Sequence, residues 1–176
     1  MVNDIKNQIR TINDFPKAGI AFRDITTALK DPQTLKNIID MFAQKFAGQK
    51  IDLVAGIESR GFIFATALAY KLNAGFVPIR KAGKLPAATI SESYDLEYGS
   101  DTIEMHLDAM NGNHNVLLID DLLATGGTAL AACRLIKKTG ANLLGAAFFI
   151  ELKDLNGKQK LLTGLTKDQI FSIVEF

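Results

Sequence analysis

A single cysteine, Cys133, among 176 residues leaves no partner for an intrachain disulfide and no cysteine-based metal site. It falls on the apolar side of a helical pattern, which predicts a core thiol. An excess of one charge is also missing. Twenty Lys and Arg against 19 Asp and Glu give a formal net charge of +1, so nothing global marks a nucleic-acid or anionic-membrane partner. No apolar run is long enough to span a bilayer and no basic-then-apolar leader is seen, which predicts a cytoplasmic protein. Internal repeats and low-complexity tracts are absent. The two histidines, His106 and His114, fit no metal-ligand or triad pattern. What is present, 48% hydrophobic and 22% charged residues, is ordinary for a soluble globular protein, and the length suits one domain with a substantial core.

The most informative stretch runs from Val116 to Thr128. Val116, Leu117, Leu118 and Ile119 form an apolar run without polar alternation, which suits a strand buried on both faces of a parallel sheet. The run ends in Asp120 and Asp121, and Leu122-Leu123-Ala124-Thr125-Gly126-Gly127-Thr128 leads into a helical pattern from Ala129 to Lys138. In open α/β sheets, ligands bind at the carboxyl ends of such strands. Gly126 and Gly127 allow close backbone approach, and a helix start offers free N–H groups and a positive dipole end. Thr125 and Thr128 can add hydroxyl donors. That is an anion site suited to a phosphate monoester. It is not a Walker A loop, because the Lys before the final Ser/Thr is missing, and the dinucleotide glycine spacing is missing too. Two carboxylates beside it accept hydroxyls or a hard cation, so the pair of features matches ribose 5-phosphate.

A second unit of the same kind lies upstream. Ile51 to Ile57 reads as a strand, Glu58-Ser59-Arg60-Gly61 as a loop and Phe62 to Leu72 as a helix. Arg60 carries a forked cation suited to phosphate, and Gly61 permits close approach. On residue type alone, a surface Arg at a helix start is the better reading. The remaining elements are a helix over 1–13 with Ile5, Ile9 and Ile12 on one side, a helix opened by Asp31-Pro32, and strands at 74–79, 143–150 and 170–174. Pro16 and Gly19 predict an irregular path between residues 14 and 26, with Phe15 and Phe22 as core plugs on composition alone. The gap between Ile79 and Val116 holds Arg80, Lys81 and Lys84 near Gly83 and Pro86. Two alternating runs around Gly99-Ser100 then predict a mobile β-ribbon hood over the strand ends.

The stretch from Val116 to Thr128 resembles the phosphoribosyl-diphosphate binding motif of the type I phosphoribosyltransferases, and its wording is nearest to members acting on adenine. Three further segments resemble the family in the same order: Phe15 to Thr26, Gly56-Ile57-Glu58-Ser59-Arg60-Gly61-Phe62, and Tyr94-Asp95-Leu96-Glu97-Tyr98-Gly99. The resemblance implies one domain over 1–176, with a central, mostly parallel sheet flanked by helices, a base-recognition segment at about 14–27 and a flexible hood at about 81–107. It implies a purine salvage reaction of adenine with 5-phosphoribosyl 1-diphosphate, giving AMP and diphosphate, with Mg²⁺ and as a homodimer. Ala124, Thr125, Gly126, Gly127 and Thr128 then hold the 5-phosphate, and Ser59, Arg60, Arg80, Lys81 and Lys84 hold the diphosphate. Ala21, Phe22, Arg23 and Leu122 surround adenine, with Phe22 against the ring and the backbone near Arg23 reading its edge. Glu97, Asp120 and Asp121 are the implied catalytic residues, with Tyr98 helping to close the hood. Mg²⁺ is implied to be held mainly by the phosphoribosyl donor and water near the two aspartates, with no certain direct ligand. The resemblance also implies a cis peptide bond between Glu58 and Ser59.

Two other readings compete. One is the same chemistry on hypoxanthine, guanine or xanthine, against which the Phe15–Thr26 and Tyr94–Gly99 segments argue. The other is a regulator that senses the phosphoribosyl donor without turnover. The retained Glu97 and hood cations, and the lack of a basic face or an extra DNA-binding segment, argue against it.

Overall fold

The computed structural model describes residues 2–95 and 99–176. In chain order the elements are α1 (Val2–Asn7), β1 (Arg10–Ile12), β2 (Phe22–Asp24), α2 (Thr26–Leu29), α3 (Pro32–Lys45), β3 (Leu53–Ile57), α4 (Gly61–Leu72) and β4 (Gly75–Lys81). They continue with β5 (Thr89–Asp95), β6 (Ser100–His106), β7 (Asn115–Leu123), α5 (Gly127–Lys138), β8 (Asn142–Glu151), α6 (Gly157–Leu161) and β9 (Ile170–Glu175).

Seven strands form one sheet in the order β5-β6-β4-β3-β7-β8-β9. The pairs among β4, β3, β7, β8 and β9 are parallel, and β6 and β5 add an antiparallel edge. Both faces are covered. Ile38, Phe42, Phe64 and Leu68, from α3 and α4, pack with Leu117, Ile119 and Phe149 on one side. On the other, Ala132, Cys133, Leu135 and Ile136 of α5 pack with Leu118, Ala146 and Phe148. This is why the central strands carry unbroken apolar runs. Burial pushes the Cys133 thiol up to about 12, as befits a core thiol.

Chain direction across the sheet reverses between β3 and β7: α4 carries β3 outward to β4, and α5 carries β7 the other way to β8. Such a switch point leaves a crevice beyond the strand ends. The register pairs Gly56 with Ile119, which sets the Glu58 turn beside the two aspartates.

Two expectations need correction. The first helix stops at Asn7, not Asn13. Ile5 and Ile9 are buried as predicted, but Arg10–Ile12 is a strand paired antiparallel with β2, and Ile12 is exposed. The helical spacing of three isoleucines was outweighed by this pairing and by the Arg10–Asp24 ion pair, neither of which is local. Secondly, Asp120 and Asp121 do not terminate their strand. β7 runs on through Leu123, whose neighbour Leu122 pairs with Ile150. The β-ribbon expected around Gly99-Ser100 is present as β5 and β6, and it continues the main sheet, because Arg80 and Lys81 of β4 pair with Glu104 and Ile103 of β6. Its strand β5 lies against α5, where Lys138 donates to the Ser91 carbonyl at 3.1 Å and also pairs with Glu92. The predicted start of α3 is present: the Asp31 carboxylate accepts the Thr34 N–H at 2.7 Å, with Pro32 following it.

Candidate active site

Two loops leave the sheet at the switch point. The loop after β7 turns at Gly126, whose φ of +79° lies in the left-handed region that glycine adopts freely. Helix α5 begins one residue later, so the N–H groups of its first turn face the loop. Residues 122–129 line a small cleft of about 80 Å³ together with Asp120. The five residues expected to hold a 5-phosphate, Ala124 to Thr128, are thus brought together at a helix start. Tyr94, at the end of β5, reaches this loop. Its ring lies 3.3 Å from where a Cβ on Gly127 would stand, and its phenol donates to Asp101 at 3.3 Å.

The loop after β3 contains a cis Glu58–Ser59 peptide bond. Arg60 caps α4, and its Nη2 lies 2.7 Å from Asp121 Oδ2. The Arg60 guanidinium also sits 5.1 Å from the Phe22 ring centre, within cation–π range. One cation therefore touches the carboxylate pair and the expected base segment. Gly61 does permit a close approach, but to protein: a Cβ there would fall 2.6 Å from Asp120 Oδ1.

Asp121 is only 6% exposed. The Arg60 contact supplies charge, yet its N–H is not aimed at Oδ2, which lacks an aligned hydrogen-bond donor. Asp120 Oδ1 accepts the Asp121 N–H at 2.8 Å. Burial pushes the Asp120 carboxyl well up, and the neighbouring Asp121 charge pushes it further. Burial also raises Asp121, against the pull of Arg60. A carboxyl raised in the folded state favours folding below its unfolded pKa, and that advantage is lost as pH rises through the folded value. Asp120→Asn, which keeps the acceptor oxygen, should therefore raise the thermal midpoint at pH 8 by a few degrees, at about 2–4 °C per kcal/mol. The gain should vanish below about pH 4, where the unfolded carboxyl is itself protonated. Melting curves at the two pH values check this. A lowered midpoint at both would show that the charge is not a burden.

Among the described residues no group of three or more His, Cys, Asp or Glu could cage a metal. Two adjacent carboxylates, Asp120 half-buried and Asp121 buried with an unsatisfied oxygen, do fit a hard cation held mostly by substrate oxygens and water.

The expected diphosphate cations are all ion-paired within the chain. Arg80 Nε and Lys84 Nζ each lie 2.8 Å from Glu58, and Lys81 Nζ lies 2.9 Å from Asp101. Burial pushes the Glu58 carboxyl up, but Lys84, the Lys81 N–H and Arg80 outweigh it and hold the carboxyl below its usual value. Ser59 lies in the same turn, between Glu58 and Arg60.

In the expected base segment, Phe15 is 50% exposed and Phe22 half-buried, their rings edge-on at 5.2 Å. They are not core plugs. Asp24 fixes the segment by accepting the Thr26 N–H at 2.9 Å and hydroxyl at 2.6 Å, and its carboxyl falls to about 2 through Thr26 and then Arg10. The Arg23 side chain stacks on Phe176 at 3.9 Å, so only its backbone is left to meet a base. Ala21 adjoins β2, and Leu122 is half-buried beside Asp121. Glu97 and Tyr98 lie outside the described residues.

Sequence reading missed the parts played by Glu58, Tyr94 and Asp101. Only Tyr94 left a signal, the alternation that marks one ribbon face. Glu58 and Asp101 act through cations 22 to 26 positions or 20 positions away in the chain.

The chain matches the model of the phosphoribosyl transferase domain over residues 26–174. It is 56% identical over 173 residues to an adenine phosphoribosyltransferase of Trichodesmium erythraeum, covering 98% of this chain and 99% of that one. The crystal structure of adenine phosphoribosyltransferase from Thermoanaerobacter pseudethanolicus superposes with a TM-score of 0.93 at 46% identity, over 100% of both chains. The Trypanosoma brucei adenine phosphoribosyltransferase, solved with AMP, pyrophosphate and ribose-5-phosphate, superposes with a TM-score of 0.90 at 27% identity. That match covers 99% of this chain and 79% of the other.

Proposed function

The chain belongs to the phosphoribosyl transferase family, and from that premise we propose that it joins adenine to 5-phosphoribosyl 1-diphosphate, giving AMP and diphosphate. It is a purine salvage enzyme. Adenine N9 attacks C1 of the ribose as diphosphate leaves. The observation that carries this reading is the meeting of two anion loops, an adjacent carboxylate pair and an aromatic base segment at one switch point. Arg60 joins them by touching both Asp121 and Phe22.

Bond breaking at C1 builds positive charge on the sugar and negative charge on the leaving group. Residues 124–128 hold the 5-phosphate with loop and helix N–H groups and so fix the sugar in register. Asp121 Oδ2, short of an aligned donor, accepts a ribose hydroxyl, and the two carboxylates favour the cationic sugar. Arg60, Arg80, Lys81 and Lys84, with Ser59, receive the diphosphate. Asp120 and Asp121 would hold Mg²⁺ beside the donor, chiefly through water, and the chemistry it would supply there is neutralisation of leaving-group charge. The Phe22 face stacks on adenine, the β2 backbone reads its edge, and Leu122 closes the pocket below. Glu97 handles the proton at N7 as N9 attacks, and Tyr98 closes the ribbon over the site.

The enzyme works as a homodimer. Ile63 and Tyr70, seven residues apart on α4, are exposed at 44% and 90%, which suits a covered helix face, and sedimentation of the active enzyme reads this directly. It works in the cytoplasm, where its multiply charged substrate is retained, since such ions do not cross lipid unaided.

The test is AMP formation from adenine and 5-phosphoribosyl 1-diphosphate with Mg²⁺, run beside hypoxanthine, guanine and xanthine. Turnover with adenine and little with the 6-oxo bases is expected. Turnover favouring another base would move the specificity, and none with any base would overturn the enzymatic reading.

A further inference from the structure

Gly157 opens α6, the short helix after β8, and lies outside every segment that the sequence implicates in chemistry. It is fully within the fold, and its backbone lies directly beneath the turn after β7. A Cβ on Gly157 would fall 2.2 Å from the Ala124 carbonyl oxygen, 3.0 Å from the Gly126 nitrogen and 3.0 Å from Leu123 Cδ1. The contact is reciprocal: a Cβ on Gly126 would fall 2.6 Å from the Gly157 carbonyl oxygen and 3.0 Å from Gly157 Cα. Two glycines thus face each other, backbone to backbone, and neither side has a flexible side chain that could yield.

The segment is held firmly from behind. Leu161 of α6 is fully buried, and the Leu152 N–H donates to the Leu123 carbonyl at 2.9 Å, tying the two chain stretches together just before the turn. Asn156, immediately before Gly157, adopts a left-handed φ of +55°, which lets the chain reverse into α6 at this point. Gly126 also has its left-handed conformation to keep, so any shift of the turn moves the N–H groups that start α5.

We propose that Gly157 is a positioning residue for the 5-phosphate: its lack of a side chain seats residues 124–126 at the height that aims the α5 N–H groups at the ligand. The inference rests on the reading of residues 124–128 as the 5-phosphate loop. It differs from a general packing role because the diphosphate loop at residues 58–60 stands on β3 and α4, away from α6. A displaced floor therefore weakens one half of the ligand and spares the other.

Binding of ribose 5-phosphate and of inorganic diphosphate is measured by calorimetry on the full-length wild type, Gly157→Ala and Gly164→Ala. Gly164 is a control, because its Cβ would make only an ordinary 3.6 Å contact with Leu130. Gly157→Ala should bind ribose 5-phosphate about tenfold to a hundredfold more weakly, the scale of a displacement near 1 Å. Diphosphate affinity should be unchanged, and Gly164→Ala should match the wild type for both ligands. Wild-type affinity for ribose 5-phosphate in Gly157→Ala, or an equal loss for both ligands, would overturn the inference while leaving the proposed function standing. A wild type that binds no ribose 5-phosphate would overturn the functional reading and this inference with it. Hydrogen exchange on the wild type gives an answer even if the variant misfolds. Ribose 5-phosphate should protect amides of residues 157–161 as well as 126–130, and protection confined to the latter would overturn the proposal.

Discussion

Asp121→Asn is expected to cut AMP formation by roughly one hundred- to one thousand-fold, the scale of a lost electrostatic contact at a reacting centre. The side chain keeps its size, so packing around this buried position is preserved. What is lost is a negative charge 2.7 Å from Arg60 and an oxygen that lacks an aligned donor in the ligand-free protein. The new amide nitrogen points donors where Asp121 offered an acceptor, so a ribose hydroxyl meets the wrong partner. The loss should appear chiefly in kcat, because the positive charge it opposes develops on the sugar only as the bond to diphosphate breaks. Steady-state kinetics with both substrates varied make the distinction. Wild-type kcat would remove Asp121 from the site.

Gly61→Ala should be nearly as damaging, although the substitution is ordinarily favourable in a helix. Ala is the better helix former by about 1 kcal/mol, and Gly61 is the first residue of α4. Here the added methyl would meet Asp120 Oδ1 at 2.6 Å, Asp120 Cα at 3.2 Å and the Ile119 carbonyl oxygen at 3.2 Å. Two of the three are backbone of the central strand β7, which is hydrogen-bonded on both sides and has no room to yield. The start of α4 must lift away, taking Arg60 with it. Overpacking of this kind costs about 1–3 kcal/mol, which outweighs the gain in helix propensity. Displacement of the two loops by a fraction of an ångström to 1 Å should lower kcat/KM by about a hundredfold. Thermal melting and kinetics on the same preparation test both parts. A stabilised, fully active variant would show that α4 and β7 move independently.

The fold was legible where it is written locally. The apolar runs at β3, β7 and β8, the Asp31-Pro32 start of α3 and the loop glycines each carry their own signal within a few residues. The places where sequence reading fell short are those decided by chain segments far apart. Arg10–Ile12 became a strand because Phe22–Asp24 lay beside it, and no property of residues 1–13 reveals that. The two aspartates looked like a strand end because charge usually ends a buried run. β7 continues past them because β8 supplies partners as far as Glu151.

The candidate site divides in the same way. Its loops announce themselves by composition, whereas their supports do not. Gly61 was legible as a residue permitting close approach, but what it approaches, Asp120, lies on another strand. Composition alone favoured Phe22 as a core plug, and only its half-buried position beside Arg60 points away from that. Gly157 is one glycine among 14, with nothing in its neighbours to set it apart.

The pairing of Arg60, Arg80, Lys81 and Lys84 with carboxylates of the chain itself changes what binding means at this site. Three tethered carboxylates serve the four cations, Glu58 pairing with both Arg80 and Lys84, so on the proposed reading diphosphate would enter by ion exchange rather than by filling a bare positive pocket. The competing anion is part of the polypeptide, and its effective concentration is set by chain connectivity rather than by the solution. The arrangement works in both directions. As product diphosphate let go of a cation, Glu58, Asp101 or Asp121 would be at hand to replace it, and the departing anion would leave behind paired cations instead of a bare field that would draw it back.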